Sequence, residues 1–181
     1  MNCRRMVGFL LLTGLALWSC SGVQPTSDAA WIALPEFVEV DNHLLTARIT
    51  PQKGEYPYYA SFILTLTNKS TSDLIVDWNA SRYVFNGRPQ GVMVFEGIDP
   101  AAVKNAMVPP GTVAPGAVFT LEIMPLRLIA WSPIKEKTAG DRSISAGMLP
   151  VGENGIHLVV RHENGHITIP LSVRIFRESS P

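Results

Sequence analysis

Cysteine is almost absent from this chain: the two it has, Cys3 and Cys20, both fall within the first 20 residues. Nothing beyond position 20 can form an internal disulfide or a thiolate, so the body of the protein must rest on apolar burial and hydrogen bonding. An excess of one charge is also missing, with 15 basic against 15 acidic residues. Without a concentrated basic face, the composition argues against nucleic acid as a partner. The longest uncharged apolar run covers only residues 6–17 (MVGFLLLTGLAL), short of the roughly 20 residues a spanning helix needs. No Gly-x-Ser-x-Gly elbow occurs, and no long segment carries apolar residues at helical spacing.

What the first 20 residues do contain is ordered. Arg4 and Arg5 precede the apolar run, which ends at Trp18-Ser19-Cys20, the tripartite layout of a secretory signal. Leu17-Trp18-Ser19-Cys20 resembles the lipobox of bacterial prolipoproteins, with Leu17, Ser19 and Cys20 at the aliphatic, small and acceptor positions and Trp18 where a small residue is usual. The resemblance implies cleavage of the Ser19–Cys20 bond, diacylglycerol on the Cys20 sulfur and a further acyl chain on the freed amine. One acyl chain binds a membrane marginally, whereas two or three hold firmly, at about 0.8 kcal/mol per buried methylene. By the same resemblance, Ser21 after the cysteine favours the periplasmic face of the outer membrane.

The expected division is a signal peptide over 1–19, a lipidated tether over 20–30 and one β-domain over 31–177. Residues 21–30 (SGVQPTSDAA) are small and polar, as a tether should be. Removing residues 1–19 leaves 162 residues with 13 basic and 15 acidic side chains, a formal charge of −2, and a length suited to a single core.

From Trp31 onward the chain reads as short strands between turn residues. The alternation predicts strands over 43–50, 58–67, 73–78, 82–86, 91–95, 117–123 and 126–131. Leu45, Ala47, Ile49, Phe62, Leu64, Leu66, Leu74, Val76 and Trp78 point inward in this reading. Residues 156–176 read as a hairpin turning at Asn164-Gly165, because Asn-Gly tolerates a type I′ turn. That register sets Glu163 opposite His166 and Ile156 opposite Val173, with the aliphatics on one face and His157, Arg161, His166, Thr168 and Pro170 on the other. Residues 99–107 suggest a short helical turn started by Asp99-Pro100. Residues 132–150 read as a long polar loop suited to binding.

These elements add up to an all-β, antiparallel immunoglobulin-like β-sandwich. The run FILTLTNKSTSDLIVDWNASRYVFNG (62–87), with VPPG (108–111) and the terminal hairpin, resembles uncharacterised bacterial lipoproteins that carry such a sandwich. The resemblance rests on fold-making residues and implies no catalytic motif.

Chemistry-bearing residues are few. His157, His162 and His166 lie within ten residues of one another, but alternation puts His162 on the face opposite the other two, and a catalytic zinc needs three convergent ligands. His43 stands apart. Asp73 and Asp77 share a face about 13 Å apart at strand rise, too far to share a proton or an ion. Asp77 is expected to pair with Arg82, and Glu96 and Asp99 to be solvated. Ser145 has no neighbouring base in sequence. Asn68-Lys69-Ser70 and Asn79-Ala80-Ser81 match the glycosylation sequon, yet both asparagines read better as turn formers. We therefore expect no catalytic residues, no metal, no cofactor and no enzymatic activity. The expected function is a lipid-anchored envelope protein that binds or assembles with an unknown envelope partner. A lipid-anchored hydrolase built on His43 or His157, and a periplasmic inhibitor or accessory chaperone, are the alternatives.

Overall fold

The computed structural model describes residues 30–54, 57–95, 97–98, 103, 105, 108–131, 144–145, 147–163 and 165–178. The signal segment, Ser19, Cys20 and the tether up to residue 29 lie outside the described residues, as do Glu96, Asp99 and most of the helical turn expected over 99–107.

The chain folds as an antiparallel all-β sandwich. In chain order the strands are β1 (Ala30–Leu34), β2 (Val38–Asp41), β3 (Leu45–Lys53), β4 (Tyr59–Asn68), β5 (Leu74–Val76), β6 (Arg82–Phe85), β7 (Arg88–Gly91), β8 (Met93–Phe95), β9 (Gly111–Val113), β10 (Val118–Pro125), β11 (Ala130–Trp131), β12 (Ile144–Ser145), β13 (Gly152–His162) and β14 (Gly165–Glu178). One sheet has the order β1-β14-β13-β5-β9, with β6 also on β13 and β7 on β6; the other runs β2-β3-β4-β10-β8. Two packed antiparallel sheets are the layer arrangement of immunoglobulin-like domains.

The core forms where the inward sets of the two sheets meet. Leu45, Ala47, Ile49, Phe62, Leu64 and Leu66 face Leu74, Val76, Ile156, Leu158, Val160, Leu171 and Ile175, all fully or almost fully buried. Each large aliphatic contributes about 1.5–3 kcal/mol by leaving water. Trp78 is buried as expected, its ring 5.2 Å from that of Phe95 and 6.4 Å from that of Phe119.

The terminal hairpin closes one turn position earlier than the sequence suggested. Gly165 pairs with His162, Arg161 with His166 and Ile156 with Leu171, a two-residue slip from the expected register. A slip of two leaves every side chain on its own face, so hydrophobic patterning fixes the parity of the pairing but not this choice. The Asn-Gly dipeptide with both residues at positive φ is Asn86-Gly87 (φ 47° and 73°). It turns β6 into β7, a strand the alternation did not reveal. Pro170 sits where β14 runs beyond β1, whose ladder stops at Leu34 opposite Arg174, so its missing N–H is accommodated at an open edge.

Two other expectations are corrected. Residues 126–128 form a 3₁₀ turn rather than a strand, because Pro125 pairs with Met93, the first residue of β8, and the ladder has no partner on that side beyond it. The end of the supposed 132–150 loop belongs to the fold. Leu149 is fully buried and donates its N–H to the Tyr59 carbonyl at 2.8 Å, and Ile144–Ser145 pairs with Ala130–Trp131. Residues 132–143 lie outside the described residues.

Candidate binding groove at the far end of the sandwich

The ladders define two ends. Ala30, Lys53, Tyr59, Gly152 and Glu178 gather at the end where β1 begins, while Leu45, Asn68, His162 and Gly165 mark the other. From Gly165 to Glu178 the 14 residues of β14 span roughly 40 Å at strand rise.

At the far end, the outer face of the seven-stranded sheet carries a shallow groove in two lobes. Arg161 lies between them, directly opposite Ile75 on one side and His166 on the other. The larger lobe, about 420 Å³, is lined by Ser72, Asp73, Ile75, His162 and Glu163 together with Arg161. The smaller, about 200 Å³, is lined by Asp77, Ala80, Val159, His166 and Thr168, again with Arg161. Asp73 and Asp77 therefore serve different lobes. His162 and His166 do so as well, while His157 pairs with Pro170 four positions back from Arg161, about 13 Å along the strand. His43 is exposed in the turn between β2 and β3. Among the described residues no three His, Cys, Asp or Glu side chains are grouped so as to hold a metal ion.

Asp77 pairs with Arg161, Nε to Oδ2 at 3.5 Å, and not with Arg82. The ladder brings Asp77 beside Val159, whose carbonyl accepts the Asp77 N–H at 2.9 Å. Arg82 restarts five residues later opposite His157, where its guanidinium donates to the carbonyls of Asn79 and Ser81 at 2.6 and 2.8 Å. Asp77 also accepts the Ala80 N–H at 3.0 Å. Ser81, fully buried, donates its hydroxyl to the Asp77 carbonyl and accepts the Val159 N–H. This turn fastens the groove wall to β13. Arg161 escaped the sequence reading because its role depends on pairing with a strand some 85 positions away.

Both sequon asparagines are structural. Asn68 is 1% exposed and its amide donates to the carbonyls of Ser72 and Val113 at 2.7 and 2.8 Å. The Asn79 amide donates to the Val108 carbonyl at 2.9 Å and its oxygen accepts the Val108 N–H at 3.1 Å.

One further polar cluster lies inside the near half. The hydroxyl of buried Tyr83 donates to Asn154 Oδ1 at 2.6 Å, and the Asn154 amide donates to the carbonyls of Pro150 and Gly152. Burial pushes the phenol up to about 12, against a weaker opposing pull from Arg127. A folded value above the unfolded one means that folding retains the proton, so this stabilisation is complete below about pH 10 and is lost as pH rises toward 12. Tyr83→Phe should flatten the fall in stability between those limits; chemical-denaturation midpoints that decline as steeply as in the wild type would contradict it.

Compared with known proteins, the chain matches no family model, no curated protein and no solved structure.

Proposed function

We propose that this chain is the precursor of a bacterial lipoprotein, anchored through acylated Cys20 at the periplasmic face of the outer membrane. It works there without catalysis, as a binding or assembly module for an envelope protein. The observation that carries this reading is Leu17-Trp18-Ser19-Cys20 at the end of a basic-then-apolar leader. Cys20 is also the only cysteine left after cleavage, so acylation is the one use the composition leaves it.

The fold supports the division of labour. The tether enters at Ala30, beside Glu178, and the groove around Arg161 lies at the opposite end of β14. A lipid-held sandwich of this shape presents a mixed-charge groove away from its anchor, where an envelope partner can reach it. The immunoglobulin-like lipoproteins that the sequence resembles fit the same plan.

Cys20→Ala should abolish incorporation of a labelled fatty acid and release the protein from the membrane fraction into the soluble one. Persistent labelling with unchanged membrane retention would sink the proposal.

A further inference from the structure

We propose that the near end of the sandwich rests directly on the lipid surface, an inference that builds on the anchor at Cys20. From Cys20 to Ala30 the tether is ten residues, so the start of β1 can stand no more than about 35 Å from the anchored cysteine. The surface held within that reach is the apolar one. Phe176, Met148 and Val151 are 39%, 46% and 52% exposed, and the registers place all three at the end where β1 begins. Only Val118, among the large exposed apolar side chains, stands at the far end.

The rim of the same end has the amphipathic chemistry of a membrane interface. The Arg177 guanidinium sits 6.0 Å from the Trp31 ring centre and the Lys53 ammonium 5.3 Å from that of Tyr59. Aromatic rings with a polar edge, beside long basic side chains that extend their charge outward, suit the headgroup layer. The far end instead carries the polar groove, so contact through the near end also leaves Arg161 facing the solvent.

The test uses the full lipidated chain in vesicles of phosphatidylethanolamine and phosphatidylglycerol. After acylation of Cys20 no free thiol remains, so Phe176→Cys, and separately His43→Cys at the far end, accept one bimane label each. Nitroxide-bearing lipids should quench the label at 176 severalfold more strongly than the label at 43. Equal quenching, or stronger quenching at 43, would overturn the docking while leaving the anchor standing. A label at 176 that is shielded from aqueous iodide yet unquenched by lipid would mean that protein covers the patch, and would also overturn it. Failure of the chain to float with the vesicles would count against anchor and docking together.

Discussion

Asn68→Asp should cost the fold about 3–5 kcal/mol, the penalty of leaving a charged group buried without its partners. Asn68 closes β4, and its amide nitrogen donates to two carbonyls, Ser72 and Val113, while its oxygen accepts the N–H and hydroxyl of Ser70. The side chain thus joins the 69–73 turn to β9 in the opposite sheet. Aspartate keeps the shape but sets an oxygen against two carbonyl oxygens at a position 1% exposed. Asn68→Ala, which removes the bonds without adding charge, should cost less, about 2–3 kcal/mol. Desolvation raises the introduced carboxyl above its unfolded value, so the unfolded state releases the proton first as pH rises. The deficit of Asn68→Asp should therefore shrink as pH falls toward the unfolded carboxylate range and be full at neutrality. Urea midpoints at several pH values, compared with wild type, measure both parts. A neutral-pH loss no larger than that of alanine would show that the pocket admits water.

How far such features can be read from sequence depends on the range of the interaction. Alternation identified Leu45, Ala47, Ile49, Phe62, Leu64, Leu66, Leu74, Val76 and Trp78 as inward because a strand with one wet face repeats every two residues. The same period is blind to a slip of two, and the terminal hairpin turned at Glu163-Asn164 despite the glycine that follows. Short edge strands such as β7 (Arg88–Gly91) and β9 (Gly111–Val113) lack enough residues to show a period, and their turn residues, Pro89 and the two prolines before Gly111, hide them further. The groove was legible only in pieces. Asp73, Asp77, His162 and His166 each stood out as chemistry-bearing, but Arg161, which lies between both lobes, read as one more solvated charge. Long-range pairing of β5 with β13 gave it its neighbours. Cys20 is the opposite case, since its reading is entirely local to four residues and needs no fold.

Trp78→Ala should cost a further class of stabilisation, about 3–5 kcal/mol, because it empties the largest buried side chain in the core. The indole leaves the seven-stranded sheet just after β5 and lies against Phe95 of β8 and Phe119 of β10, so it ties the turn at 77–81 to the other sheet. In a domain of this length each kcal/mol shifts the midpoint by about 2–4 °C, which puts the expected loss near 10 °C in a thermal scan. Trp78→Phe should recover part of it by keeping the ring contacts. A shift below 2 °C for alanine, roughly the effect of a surface change, would mean that β8 and β10 close over the space. The two sites meet at β9: Asn68 holds the Val113 carbonyl, and a side chain at Gly111 would stand 3.6 Å from the indole nitrogen. Three residues of strand held at both ends should respond as one unit. Combining Asn68→Ala with Trp78→Ala should therefore depart from the sum of the single losses by more than the roughly 0.5 kcal/mol typical of independent sites. Additive losses would show instead that each sheet anchors β9 separately.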